Sequence, residues 1–196
     1  NGSLDNAIET IHAAKRAGAD CIKLQTYTAD TITIDSNKDD FLIKGTIWEG
    51  KNLYKLYQEA YTPWEWHEEI FRIAKEVGLI CFSSPFDNTA VDLLESLDAP
   101  AYKIASFEIT DIPLIEYVAS KGKKVMMWGD VLLEYPEKID EMPDDVLYLN
   151  WDYEVDTPEE KVPLQKEAHK FPCWKARPLL FLPLYPHSAS LHLFFL

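Results

Sequence analysis

Two lysines stand inside runs that otherwise read as buried strands. Lys23 lies in Cys21-Ile22-Lys23-Leu24-Gln25-Thr26-Tyr27, and Lys103 lies in Ala101-Tyr102-Lys103-Ile104-Ala105-Ser106-Phe107-Glu108. A lysine so placed must snorkel to solvent, pair with a neighbouring carboxylate or meet an anionic ligand. Strand alternation puts Gln25 on the face of Lys23. The same alternation puts Lys103, Ala105 and Phe107 on one face of their run, and Ile104, Ser106 and Glu108 on the other or at its rim. A third run ends in Phe82-Ser83-Ser84-Pro85-Phe86, where the proline stops pairing and leaves two hydroxyls at the strand edge. Lysines and hydroxyls on neighbouring strand ends would make a pocket for a phosphate or a carboxylate.

Other residues offer less. Glu108 reads equally as a base, a hydrogen-bond acceptor for substrate or a salt-bridge partner for a lysine. His12 falls in a helix and His67 on the solvent-prone side of another, and both read as structural. No HxxxH, HxH or CxxC spacing occurs, so the residues alone define no metal site. Ser83 and Ser84 lack a GxSxG setting, which argues against a nucleophilic serine.

The elements that must position these residues follow a βα rhythm. Ser3 can cap a helix with apolar Ala7, Ile8, Ile11, Ala14 and Ala17, stopped by Gly18, before the Lys23 strand. A polar excursion from Thr28 to Tyr61 then carries Trp48, Tyr54 and Tyr57, as a short helix or a lid. Thr62-Pro63-Trp64-Glu65 forms a capping box with proline at the first helical position, which predicts a helix from there to Gly78. Strand-like runs begin at Leu79, Ala101, Lys124 and Val146, about 22 residues apart, with helix-spaced segments between them. That pattern predicts parallel βαβ units, in an open doubly wound sheet or a (β/α)₈ barrel. No glycine-rich turn follows a strand, which disfavours the dinucleotide fold.

Composition narrows the function classes. The 196 residues hold 33 acidic and 19 basic side chains, a formal charge of −14, which repels phosphate backbones and anionic membranes. Nucleic acid and membrane surfaces are therefore not expected partners. A local cationic site in an acidic protein instead suits a small anionic ligand. Three cysteines without ligand spacing fit a reducing cytoplasmic compartment. No run of 18 apolar residues occurs, and neither a spanning helix nor a leader is expected; the absent initiator methionine suggests a trimmed start.

The segments NGSLDNAIETIHAAKRAGADCIKLQTYTADTITI, FSSPFDNTAVDLLESL and YKIASFEITDIPLI together resemble the N-terminal half of the sialic acid synthase family. FLIKGTIWEGKNLYKLYQEAYTPWEWH is most similar to its pseudaminic acid synthase branch. The likeness covers residues 1–122. It implies a (β/α)₈ barrel that condenses phosphoenolpyruvate with an N-acylated amino sugar, with a divalent metal (Mn or Mg), to form a nine-carbon 2-keto acid. By position in those motifs, Lys23, Ser84, Lys103 and Ser106 would hold the phosphate and carboxylate of phosphoenolpyruvate. Gln25 and Glu108 would face the sugar or the reacting carbons. Lys23, Lys103 and Glu108 would form the catalytic set, with Gln25, Ser84 and Ser106 as substrate contacts. In that chemistry the metal polarises the sugar aldehyde, the enol carbon attacks it, water adds to the resulting cation and phosphate leaves.

Departures accompany the match. The family's first strand, the two metal-binding histidines of its later strands and its C-terminal domain have no counterpart, so the metal's ligands are expected to be missing from this chain. Residues 122–155, by the run GKKVMMWGDVLLEYPEKIDEMPDDVLYLNWDYE, instead resemble a hexosaminidase-type glycoside hydrolase barrel. Trp128, Asp130, Trp151 and Tyr153 would there be sugar contacts, or the tryptophans would merely cap a barrel interior. Beyond Glu167 no acid occurs, and Pro172, Pro178, Pro183 and Pro186 interrupt the run of Leu and Phe. The expected organisation is a synthase-like barrel half at 1–122, hydrolase-like βα units at 123–168 and an irregular, disordered tail at 169–196. The fold class is then α/β, an incomplete (β/α)₈ barrel with parallel strands and impaired activity. A barrel of about 250 residues cannot be closed by this chain. The open edge favours association, a homodimer in the simplest case. The alternatives are a hexosaminidase-like sugar-binding fragment and an inactive composite.

Overall fold

The computed structural model describes residues 2–129, 135, 141, 143 and 145–149. The chain divides into two compact units, one ending at Pro100 and the other beginning at Ala101.

In the first unit, α1 (Leu4–Arg16) starts at Ser3, whose side chain accepts from the Asn6 N–H at 3.2 Å. This satisfies one of the donors a helix start leaves orphaned. Gly18, at φ 85°, takes the left-handed turn that stops α1 and feeds β1 (Cys21–Thr26). Gly78, at φ 73°, does the same between α4 (His67–Glu76) and β2 (Ile80–Pro85). The Lys15 ammonium donates to the Gly78 carbonyl at 2.9 Å, tying the two helix ends together. The strands β1 and β2 pair in parallel, as the βα rhythm requires.

Two predicted boundaries move. The polar excursion contains a short helix α2 (Ala29–Ile32) and α3 (Leu53–Ala60), the latter capped by Asn52, whose side chain accepts from the Lys55 N–H. The expected capping box at Thr62 instead leads into a 3₁₀ turn over Trp64–Trp66, and the α-helix begins only at His67. Pro63 takes the N-cap position of that turn, with no side-chain cap bond of its own. Asp87 then caps α5 (Asn88–Ser96) with bonds from the Thr89 and Ala90 N–H groups. Asp98, at φ 53°, plays the left-handed role that glycine takes at the other helix ends.

The core of this unit gathers Ala7, Ile11 and Ala14 from α1, Ile70 and Ala74 from α4, and Ile22, Leu24 and Cys81 from the strands. Each large aliphatic group so buried contributes about 1.5–3 kcal/mol. These contacts decide which face of the ladder turns toward the helices.

In the second unit β3 (Ala101–Lys103), β4 (Lys124–Trp128) and β5 (Val146–Leu149) are again parallel neighbours. The Ile104 N–H donates to the Met126 carbonyl at 2.8 Å, after which β3 ends and the chain turns through a 3₁₀ turn at Ser106–Glu108. Asp111 caps α6 (Ile112–Ser120) and Pro113 occupies its first turn, with Leu114 and Val118 buried. Among the described residues no helix is long and apolar enough to cross a membrane.

Candidate functional site

In the first unit, register and alternation gather one group of candidate residues. Lys23 pairs with Phe82, Leu24 with Ser83, Gln25 with Ser84 and Thr26 with Pro85. Opposite residues in a ladder share a face. Ile22, Leu24 and Cys81 are committed to the core beneath α1 and α4, so Lys23, Gln25, Phe82 and Ser84 occupy the other face. The expectation that Lys23 and Gln25 share a face holds, and the register adds Ser84 beside Gln25.

These groups are unusually enclosed for polar side chains. Lys23 is 7% exposed and Ser84 1%. The Ser84 hydroxyl is buried and has no hydrogen-bond partner among the described residues. Leaving such a group unmade costs about 1–3 kcal/mol, so its persistence marks a position where a ligand oxygen would be well received. On the helix-facing side, Ser83 and Thr26 hydroxyls lie 2.7 Å apart, and Thr26 Oγ1 lies 2.9 Å from Nε2 of His67. His67 is fully buried, not on the solvent-prone side expected for it. The reason is local: the delayed helix start turns its ring toward the strands, where hydroxyls satisfy it.

In the second unit, the residues around Lys103 differ from the alternation expected for Ala101–Glu108. Lys103 is enclosed, 2% exposed, and its ammonium donates to the Ile104 carbonyl at 3.1 Å and stands 4.2 Å from the centroid of the Trp128 ring. Because β3 stops at Lys103, Ser106 and Glu108 belong to the 3₁₀ turn, and no strand face orders them. Ser106 is exposed and Glu108 half-buried. Burial, followed by the charge of Asp111, raises the Glu108 carboxyl above its ordinary range, which suits a group that exchanges a proton.

Around the end of β1, Tyr27 is buried, packs edge-on to Tyr57 and Phe86, and accepts from the Trp64 indole at its carbonyl. Its phenol is pushed up to about 12, chiefly by burial, so it is a neutral donor. Among the described residues no cluster of three His, Cys, Asp or Glu side chains could hold a metal ion. Both His67 ring nitrogens face protein partners. The described residues therefore do not fit a metal site. Asp130, Trp151 and Tyr153 lie outside the described residues, as do the segments from 150 onward.

Residues 10–129 match the NeuB family, well over half the chain. The chain belongs to the NeuB family. Its relatives include the pseudaminic acid synthases of Helicobacter pylori, 52% identical over 127 residues, and of Campylobacter jejuni serotype O:2, 49% identical over 133. These alignments cover 65% and 68% of this chain but only 37% and 39% of those proteins. The human N-acetylneuraminate-9-phosphate synthase is 29% identical over 126 residues, covering 64% of this chain and 35% of that protein. The NeuB chain thus spans well under half the length of these relatives.

Solved structures carry the fold. The N-acetylneuraminic acid synthetase of Leptospira borgpetersenii, a complex with citrate, superposes with a TM-score of 0.61 at 21% identity, over 87% of this chain and 59% of that one. The spore coat polysaccharide biosynthesis protein of Bacillus subtilis does so at 0.55 and 28%, over 87% and 47%. The NeuB chain is therefore α/β with parallel strands, part of a (β/α)₈-type barrel. The matched residues include Lys23, Gln25, Ser84, Lys103, Ser106 and Glu108.

The sequence reading missed the Thr26–Ser83–His67 cluster and the seat of Lys103 on Trp128. A signal for the first was present: Thr26 and Ser83 are hydroxyls on the apolar, helix-facing register of their strands, where each needs a partner.

Proposed function

We propose that the chain serves pseudaminic or sialic acid-type synthesis: condensation of phosphoenolpyruvate with an N-acylated amino sugar to give a nine-carbon 2-keto acid. One observation carries this reading. Ser84 presents a buried hydroxyl with no partner among the described residues, beside Gln25 and on the face of an enclosed lysine. Such a face favours a compact anion, and its residues fall within the NeuB match.

In this reading Lys23 and Ser84 hold the anionic groups of phosphoenolpyruvate, and the Gln25 amide faces the sugar. The family resemblance assigns Lys103 and Ser106 to the same ligand and Glu108 to the reacting carbons. The enol carbon forms a bond to the aldehyde carbon, whose oxygen takes a proton. Water adds at the carbon bearing phosphate, and cleavage of the C–O bond releases inorganic phosphate and the keto acid. Fixed cations suit this sequence because phosphate and carboxylate must be held while a cationic centre forms beside them. A divalent metal belongs to the reading as a family expectation. The reading further places residues 1–122 as the synthase-like half and assigns 123–168 and 169–196 to other origins by sequence resemblance alone. It expects a cytoplasmic protein that associates as a homodimer.

The test combines activity and binding. Phosphate release from phosphoenolpyruvate with Mn²⁺ and an N-acetylated hexosamine supports synthesis. Without release, protection of Lys23 and Lys103 from acylation by phosphoenolpyruvate reduces the function to binding. Cleavage of a chromogenic N-acetylhexosaminide, with neither of the other results, would overturn it.

A further inference from the structure

The helix-facing side of the β1–β2 ladder holds a hydrogen-bond chain with a defined direction. Nδ1 of His67 lies 3.1 Å from the Pro63 carbonyl, which can only accept, so Nδ1 carries the proton. Nε2 then accepts from the Thr26 hydroxyl at 2.9 Å, and Thr26 Oγ1 accepts from the Ser83 hydroxyl at 2.7 Å. Thr26, Ser83 and His67 are each fully buried. Burial also pushes the His67 imidazole below its ordinary range, consistent with a neutral ring.

The chain joins three elements at one level. Thr26 closes β1, Ser83 precedes Ser84 in β2, and His67 is the first residue of α4. Apolar contacts alone tolerate small sliding of parallel strands, whereas a buried hydroxyl that slips loses its partner at full desolvation cost. Each bonded residue adjoins in sequence a residue of the opposite face: Thr26 follows Gln25, and Ser83 precedes Ser84. We infer that His67 is a positioning residue which, through the Thr26 and Ser83 hydroxyls, fixes the C-terminal ends of β1 and β2 so that Gln25 and Ser84 stand side by side on the ligand face. The inference extends the anion-binding reading of that face without depending on which sugar is used.

The experiment uses the full chain and two variants. His67→Phe fills the volume but offers no acceptor; His67→Gln restores an acceptor that reaches Thr26. Ring-nitrogen NMR of the unmodified chain should show the neutral, Nδ1-protonated form. In His67→Phe, amide exchange at Thr26 and Ser84 should rise about tenfold, the fold-change of one lost hydrogen bond. Exchange at Ile11 and Ala14 in α1 should stay within about twofold. Phosphoenolpyruvate should protect Lys23 from acylation in His67→Gln and not in His67→Phe. Should His67→Phe fail to fold, Thr26→Val cuts the same link at nearly constant volume, and the same local acceleration is expected. Uniform acceleration through the unit, unchanged exchange at Thr26 and Ser84, or no recovery in His67→Gln would each overturn the inference. If phosphoenolpyruvate protects nothing in the unmodified chain, the binding reading fails, while the exchange pattern still decides the role of His67.

Discussion

The Lys103 ammonium lies 4.2 Å from the centre of the Trp128 ring. A ring face attracts a cation without neutralising it, so the contact steadies the Lys103 ammonium. Trp128→Ala removes the ring and opens the ammonium to solvent. Acylation of Lys103, followed by peptide mass spectrometry, should accelerate several-fold, with Lys23 on its separate strand unchanged. The loss of the contact should cost about 0.5–2 kcal/mol in urea unfolding. Equal labelling of both lysines in the variant and the unmodified chain would rule out this seat for Lys103.

Ser84→Ala separates binding from stability. The hydroxyl is buried with no partner among the described residues, so removing it relieves a desolvation cost and opens little space. The variant should be as stable as the unmodified chain or up to about 1 kcal/mol more stable, measured by urea midpoint at constant slope. Phosphoenolpyruvate binding should weaken by about tenfold or more, since a hydrogen bond to a charged group contributes about 1.5–3 kcal/mol. A variant that loses stability while keeping its affinity would show the hydroxyl to be structural.

Acid should destabilise the protein through His67. Burial lowers its pKa from the ordinary 6.5, outweighing the Pro63 and Trp64 carbonyls and the Glu65 carboxylate, which pull it upward. The folded state therefore binds this proton less readily than the unfolded chain. The associated stability is fully present above about pH 6.5 and is lost as pH falls through the depressed folded value. Glu108, whose carboxyl is raised, has the opposite sign: its stability is present below its unfolded value and lost as pH rises through the folded one. Urea midpoints should therefore fall below about pH 6.5, and the His67→Gln variant should show a flatter limb there. An identical pH profile in both proteins would remove His67 from the account.

The parts of this molecule legible in its sequence are those set by short-range patterns. Six alternating residues sufficed to place Lys23 and Gln25 on one face, and Gly18 and Gly78 marked helix ends by their need for positive φ. Ser106 and Glu108 were misplaced because Ala101–Glu108 has strand-like composition throughout, yet its ladder bonds run out just after Lys103. Composition does not record where a neighbour's carbonyls end. His67 was missed for a related reason. Its partner Thr26 is 41 residues away, and Ser83 is 57 residues from Thr26, so no local window contains the cluster.

Asp87 offers a final test of whether a carboxylate beside a strand end is structural. It follows the Ser83-Ser84-Pro85-Phe86 strand end, and both of its oxygens are used. Oδ1 accepts from the Ala90 N–H at 3.1 Å, and Oδ2 accepts from the Thr89 N–H at 3.1 Å. Those bonds satisfy the start of α5, whose Ala90, Val91 and Leu94 are buried. Asn caps a helix about as well as Asp, whereas Ala cannot. Asp87→Ala should therefore cost about 1 kcal/mol in urea unfolding, and Asp87→Asn should stay within a few tenths. Protection of Lys23 by phosphoenolpyruvate should persist in both. Loss of that protection in Asp87→Asn, with stability intact, would move Asp87 from the helix cap to the ligand site.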